Sequence, residues 1–157
     1  MPPADSHAAV AIAILYQDNC FLMQLREEKP EIAYPGCWAF FGGHIEPEEA
    51  PAVAMQRELL EEIGYAPPTL TLFTTAQDAN FTRYVFHAPL TVGLDTLELN
   101  EGCDLGLVTI EEIQQGSRYS TRMERTYPLG EPHQKILLNF IRQELSLSAV
   151  HLSEPQT

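Results

Sequence analysis

Three glutamates, Glu58, Glu61 and Glu62, lie close together in a leucine-rich stretch of the chain. On a helix of about 3.6 residues per turn, residues three and four positions apart are neighbours, so the three carboxylates project from nearly one face. Like charges at this spacing repel by roughly a few tenths of a kcal/mol per pair on an exposed helix. A hard divalent cation, Mg²⁺ or Mn²⁺, would remove that repulsion. The spacing therefore indicates a carboxylate metal site.

The same cluster has a simpler explanation, because glutamates are common on solvated helix faces. The wider sequence decides between the two. From Gly43 to Tyr65 the chain reads GHIEPEEAPAVAMQRELLEEIGY, which resembles the Nudix signature G-x5-E-x7-R-E-U-x-E-E-x-G-U, where U is aliphatic. Tyr65 departs from the signature. The preceding WAFFGG resembles the W-x-hydrophobic-P-G-G segment of the same family, with Phe41 in place of proline.

The resemblance implies a role for each matching residue. The implied metal ligands are Glu58, Glu61, Glu62 and the backbone carbonyl of Gly42. Arg57 would orient a carboxylate, and Glu49 would be a ligand or a neighbour of the ligands, so both would take part in catalysis with Glu58 and Glu61. The implied reaction is attack of water on a phosphorus of a diphosphate, with Mg²⁺ or Mn²⁺ lowering the pKa of the bound water.

The group that accepts the proton of the attacking water remains open. Glu58 and Glu61 are candidates, as are Glu101 and Asp104 on a later loop. Side chains that could contact the substrate are Arg26, His44 and Arg83. The arginine-containing segment 118–125 is interpreted either as a phosphate-binding lid or as a solvated loop. Trp38 is interpreted as a core residue or as a platform for a base.

The charge balance limits the partners. Nine basic and 22 acidic residues give a net charge of −13, whereas binding of DNA or RNA depends on Lys and Arg neutralising phosphates. No nucleic-acid polymer is therefore expected, but a small phosphorylated nucleotide is, because a bound cation reverses the local field. The apolar run near the start of the chain is too short to span a bilayer, so no membrane partner is expected.

Cysteine usage favours a reducing cytoplasm. Cys20, Cys37 and Cys103 are widely spaced and contain no C-x-x-C pair, which argues against a disulfide framework or a structural zinc site.

The signature must lie on a helix if its glutamates are to share a face. Apolar residues recur at helical spacing over 48–63, and Gly64 stands where a helix would stop. Pro47 and Pro51 are tolerated only near its start. A short helix is expected to begin at Thr109, and an amphipathic one covers 132–145. Strands are expected over 8–16, 20–25, 38–41, 70–75, 81–88, 94–99 and 105–110.

This order of elements, together with the resemblance, predicts an α/β fold, the Nudix α/β/α sandwich with a mixed β-sheet. Residues 1–157 are expected to form a single domain, with a polar tail from about 148 to 157. The expected substrate is a nucleoside triphosphate or a nucleotide sugar. A non-catalytic nucleotide-sensing module is one alternative; an isopentenyl diphosphate isomerase-like enzyme is another, although Cys37 and Cys103 do not resemble its cysteine. The resemblance also allows a homodimer.

Overall fold

A computed structural model describes residues 8–32 and 34–153, with side chains described as far as Glu144. The strands in this part of the chain are β1 (Ala8–Gln17), β2 (Cys20–Leu25), β3 (Trp38–Ala39), β4 (Phe41–His44), β5 (Thr71–Gln77), β6 (Phe81–Pro89), β7 (Asp104–Thr109), β8 (Ser117–Ser120) and β9 (Arg125–Pro128). The helices are α1 (Pro51–Ile63), α2 (Ile110–Gln115) and α3 (Glu131–Ser153), with a 3₁₀ turn at Leu94–Thr96.

Seven strands form one mixed sheet. Its order is β3-β2-β1-β6-β5, with β4 pairing with β1 and β7 pairing with β2. The β1–β6 pair is parallel, and the other pairs are antiparallel. The predicted mixed sheet is therefore confirmed. Strands β8 and β9 form a separate hairpin.

Strand β1 is apolar along most of its length because both faces of the sheet are covered. Ala11, Ala13 and Leu15 pack in the same cluster as the buried residues of α1. Ile12 and Ile14 pack in the opposite cluster, with residues of α2 and α3. Helices therefore lie on both faces of the sheet, and the predicted α/β/α sandwich is confirmed. The structure contains no helix that is long and apolar enough to cross a membrane, within its described residues.

Helix α1 begins at Pro51, later than the predicted residue 48. Proline lacks an N–H and has a fixed φ, so it suits the first helical position, and the preceding Ala50 is extended. Glu48 has a φ of 66° and belongs to the turn before the helix. The predicted stop is confirmed: Gly64 has a φ of 68°, and its N–H donates to the carbonyl of Leu60 at 3.1 Å.

Several predicted boundaries need correction. The strand predicted over 94–99 is wrong, because this segment forms a 3₁₀ turn and then bonds to the end of α1 instead of joining a sheet. The strand predicted over 38–41 is divided at Phe40 into β3 and β4. Helix α3 continues past residue 145 to Ser153. The polar tail predicted for 148–157 is thus helical up to that residue, and 154–157 lie outside the described residues.

The segment 118–125 belongs to the β8–β9 hairpin, and its residues 121–124 form the exposed turn of that hairpin, which fits the solvated-loop interpretation. Arg118 lies over the ring of Trp38 at 5.3 Å and pairs with Glu112 at 2.7 Å. Trp38 is fully buried and donates its indole N–H to the Arg118 carbonyl at 3.1 Å, so its interpretation as a core residue is correct. The helix start at Thr109 is confirmed by a capping box with Glu112.

Candidate active site

A cavity of about 530 Å³ lies where β4, β1 and β6 run side by side. This volume is in the range of small-molecule sites. His44, Val10 and Arg83 stand in register across the three strands. The predicted residues that line the cavity are Arg26, Gly42, His44, Arg57, Glu58, Arg83 and Glu101. Residues far apart in the sequence thus meet at one site.

The two glycines of β4 allow close approach of the neighbouring groups on α1 and β1. A Cβ added at Gly43 would overlap the carboxylate of Glu58, and one added at Gly42 would overlap the carbonyl oxygen of Ala11. The N–H of Gly42 donates to Oε1 of Glu62 at 2.9 Å. The glycine pair of β4 therefore lets Glu58 and Glu62 lie against the backbone of this strand.

Arg57 joins several acceptors. Its Nε and Nη2 donate to the two carboxylate oxygens of Glu49, at 2.8 and 2.9 Å. Its Nη1 donates to Glu58 at 3.0 Å, and its Nη2 also donates to the His44 carbonyl at 3.1 Å. These bonds from Arg57, assisted by the backbone N–H of Glu46, lower the pKa of Glu49 to about 2. A planar guanidinium suits this fork, which fixes the rotamers of its two partners.

The remaining carboxylates crowd one another. Glu62 is only 3% exposed, and burial raises its pKa to about 8 against the opposing bond from Gly42, with Glu58 and Glu101 adding repulsion. Burial also raises the pKa of Glu58, despite Arg57, and Glu61 and Glu101 raise it further. Acidic groups are therefore crowded where α1 meets the cavity, and each makes ionisation of its neighbours less favourable.

Glu101 reaches this group through a loop docked on the end of α1. The N–H of Glu98 donates to the Ile63 carbonyl at 3.0 Å. Asn100 donates its backbone N–H to the Glu62 carbonyl at 3.1 Å and its Nδ2 to the Glu61 carbonyl at 2.8 Å. The last carbonyls of a helix need such partners. Sequence reasoning missed this docking.

The other acidic candidate, Asp104, is held elsewhere. Its carboxylate accepts the hydroxyl of Ser120 at 2.7 Å and lies 4.0 Å from Arg122, and it does not line the cavity. The structure thus brings Glu101, rather than Asp104, to the crowded carboxylates.

The donor set suits a hard cation. Among the described residues no three acidic, histidine or cysteine side chains have the arrangement of a metal site. The Glu61 side chain is 59% exposed, and its carboxylate lies 3.6 Å from Nη1 of Arg57. The other donors are oxygens, crowded and partly buried, beside a glycine pair that leaves space. The chemistry of these oxygen donors fits a hard cation such as Mg²⁺ or Mn²⁺.

The opposite end of the cavity is aromatic, and sequence reasoning missed three of its residues: Tyr34, Phe81 and His133. Arg83, 4% exposed, lies over the Phe81 ring at 5.0 Å and donates to the Tyr34 hydroxyl at 3.0 Å. The alternation of Phe81 and Arg83 on β6 was the one available signal, because alternate residues of a strand share a face. Nothing local connects Tyr34 or His133 to that strand.

The burial of His133 predicts an acid-sensitive fold. Burial, with repulsion from Arg83 and Arg26, lowers the pKa of His133 to about 3. The unfolded chain takes up this proton below its ordinary pKa of about 6.5, so the stabilisation is full above 6.5 and is lost as the pH falls towards 3. Between pH 7.5 and 5.5 the wild type should lose about 1.4 kcal/mol more free energy of unfolding than His133→Gln.

Urea denaturation at the two pH values checks this expectation. Gln keeps an acceptor for the Phe40 N–H, which donates to Nδ1 of His133 at 3.3 Å. Parallel losses in both proteins would contradict it.

Comparison with known proteins gives a consistent result. The family model described as the NUDIX domain matches residues 5–129. The 8-oxo-dGDP phosphatase of Mus musculus is 33% identical over 86 residues, which are 54% of this chain and 26% of that protein. The CTP pyrophosphohydrolase of Escherichia coli is 40% identical over 55 residues, which are 35% of this chain and 39% of that protein. The matches thus span less than half of each of these relatives.

A solved structure agrees over a longer range. The MutT protein from Methanosarcina mazei superposes with a TM-score of 0.65 at 19% identity, covering 88% of this chain and 95% of that one. At this identity the likeness shows the fold.

Proposed function

The chain belongs to the NUDIX family of hydrolases of phosphoric anhydride bonds, and from that premise we propose that it is a Mg²⁺- or Mn²⁺-dependent pyrophosphohydrolase of a nucleotide. One observation carries the proposal: Glu58, held by Arg57, and Glu101 line one cavity, with the buried Glu62 close enough to repel both. Such a concentration of oxygen donors suits a dication and phosphate.

The proposed ligands are Glu58, Glu61, Glu62 and the backbone carbonyl of Gly42. When bound, the cation would neutralise phosphate oxygens and lower the pKa of the attacking water. Arg57 would keep Glu58 oriented through the bond at 3.0 Å, while Glu49 would keep Arg57 in place. Gly43 would leave space for the Glu58 carboxylate.

We propose Glu101 as the acceptor of the proton from the attacking water, ahead of Glu58 and Glu61. Glu101 lines the cavity and is held by a docked loop, whereas Arg57 donates to Glu58 and lies 3.6 Å from Glu61. A carboxylate that neither binds the cation nor accepts a hydrogen bond from the guanidinium remains available as a base. Arg26 and His44 line the same cavity and are the proposed contacts of the substrate phosphates.

A nucleoside triphosphate is the proposed substrate, with a nucleotide sugar as the alternative. The curated relatives are named for hydrolysis of 8-oxo-dGDP and CTP, which favours a nucleotide with a terminal phosphate chain. The aromatic end of the cavity suits a base.

The two alternative functions have less support. Neither Cys37 nor Cys103 lines the cavity, which does not favour an isopentenyl diphosphate isomerase-like reaction. Intact carboxylates argue against a purely nucleotide-sensing module. We further propose a cytoplasmic location, which the three free cysteines support, and a homodimer, which the resemblance suggests.

A substrate screen tests the proposed function. The full chain is incubated with nucleoside triphosphates, nucleotide sugars, dinucleoside polyphosphates and ADP-ribose, with Mg²⁺, with Mn²⁺ or with EDTA. We expect a nucleoside monophosphate and pyrophosphate from a triphosphate, only with added cation, by chromatography of the products. Absence of cation-dependent cleavage across the panel would contradict the proposal.

A further inference from the structure

The aromatic end of the cavity lies at a defined distance from His44, a proposed contact of the substrate phosphates. Arg83 on β6, Val10 on β1 and His44 on β4 are in register, so Arg83 is two strand spacings, about 10 Å, from His44. A ribose with its 5′-phosphate separates a base from the next phosphate on this scale. The rings of Tyr34 and Phe81 lie beside Arg83. This end is therefore placed for a flat group joined to a bound diphosphate.

Arg83 offers hydrogen-bond donors as part of an ion pair with Asp78 that has no net charge. Its Nη1 donates to Asp78 at 2.6 Å, and that bond, with the backbone N–H groups of Asn80 and Phe81, lowers the pKa of Asp78 to about 2. Asp78 is therefore ionised and balances the guanidinium. The bonds to Asp78 and Tyr34 use two of the five N–H groups of an arginine and fix the orientation of the guanidinium that carries the other three. A balanced, oriented donor suits a neutral polar ligand better than a phosphate.

His133 supplies a second donor. Its Nδ1 accepts the backbone N–H of Phe40 at 3.3 Å, so the neutral ring carries its proton on Nε2. His133 lines the same cavity as Arg83, with its ring edge-to-face on Tyr34 at 5.6 Å. Two side chains that carry donors thus line one aromatic compartment.

From this arrangement we propose that the compartment formed by Tyr34, Phe81, Arg83 and His133 binds the nucleobase and selects guanine and cytosine over adenine and uracil. The proposal rests on the proposed function, because it takes the diphosphate to lie at the carboxylates. Guanine presents O6 and N7, and cytosine presents O2 and N3, as adjacent acceptors that match two donors. Adenine places an amino donor beside its acceptor, and uracil places an N–H between its two carbonyls.

Isothermal titration of the full chain with GMP, CMP, AMP and UMP tests this selection. Monophosphates contain no diphosphate bond, so the result does not depend on turnover, and failure of the hydrolysis screen is distinguishable from failure of base selection. We expect GMP and CMP to bind roughly 10- to 100-fold more tightly than AMP and UMP. Equal affinities, or no measurable binding of any of the four, would overturn the proposal.

A substitution at Arg83 tests its role directly. Gln pairs with N6 and N7 of adenine, so Arg83→Gln should weaken GMP and CMP binding and make AMP the preferred base. Arg118→Gln is the matched control, because Arg118 also packs on an aromatic ring and pairs with an acid but does not line the cavity. It should retain the wild-type order. Retention of that order in folded Arg83→Gln would overturn the proposal, and the wild-type titration decides it if that variant does not fold.

Discussion

Glu62→Gln should lower kcat by about 100-fold or more while leaving the fold intact, a size typical of the loss of a group that stabilises charge at a reacting centre. Gln has the shape of Glu and keeps one oxygen for the N–H of Gly42, which donates at 2.9 Å. What it removes is a buried negative charge proposed to bind the cation. Initial rates at saturating Mg²⁺, on the best substrate of the screen, measure the effect.

Thermal unfolding provides a second measurement of the same variant. Without cation, Glu62→Gln should unfold at a higher temperature than the wild type at pH 8, because a carboxylate that is 3% exposed is costly to keep charged. Added Mg²⁺ should raise the Tm of the wild type more than that of the variant. A ligand stabilises the folded state only as far as it binds to it, and the variant should bind Mg²⁺ more weakly. The control is Glu111→Gln, an exposed glutamate of α2. Unchanged turnover, or equal Mg²⁺ shifts, would remove Glu62 from the proposed ligands.

Arg57→Ala should lower kcat roughly 100-fold, because misplacement of a neighbouring group by about 1 Å is enough for such a loss. Arg57 acts in the proposed mechanism as a positioning residue for Glu58, and the substitution releases both Glu58 and Glu49. Arg57→Lys keeps the charge without the planar fork and should lose about 10-fold. The apparent affinity for Mg²⁺ should fall along with kcat, which a purely structural defect would not produce.

A double-mutant cycle with Glu49→Gln tests the pathway of this effect. If Glu49 acts through Arg57, the loss in Arg57→Ala/Glu49→Gln should be much smaller than the product of the two single losses. Arg142→Ala, an exposed arginine of α3, serves as the control. Multiplicative losses would show that Glu49 contributes independently of the guanidinium.

The fold was largely predictable because its signals are local. The helix of the signature shows its apolar spacing and its terminal Gly64, and β1 is a continuous apolar run. The exact start of this helix was not predictable, because the backbone has a positive φ at Glu48, three residues before Pro51. Residues 94–99 have the alternation of a strand but bond to carbonyls of α1, a partner that no local pattern reveals.

The carboxylate end of the site was predictable for the same reason, because one continuous stretch carries Arg57, Glu58 and Glu62. The aromatic end was not. It is assembled from a loop residue, Tyr34, a strand residue, Phe81, and a helix residue, His133, whose proximity follows only from the order of the strands and the docking of α3. The choice of Glu101 over Asp104 likewise depends on the loop docked on α1.

The alternation along β1 has a practical consequence for protein engineering. Val10 and Ile12 line the cavity, whereas Ala11 and Ala13 pack in the cluster of α1, which carries the carboxylates. A combinatorial library confined to position 10, which lines the cavity and belongs to neither buried cluster, would therefore reshape the ligand compartment without disturbing the seating of the helix. Ligand preference is thus open to directed evolution on one face of β1, while the residues of its other face keep α1 and its carboxylates in place.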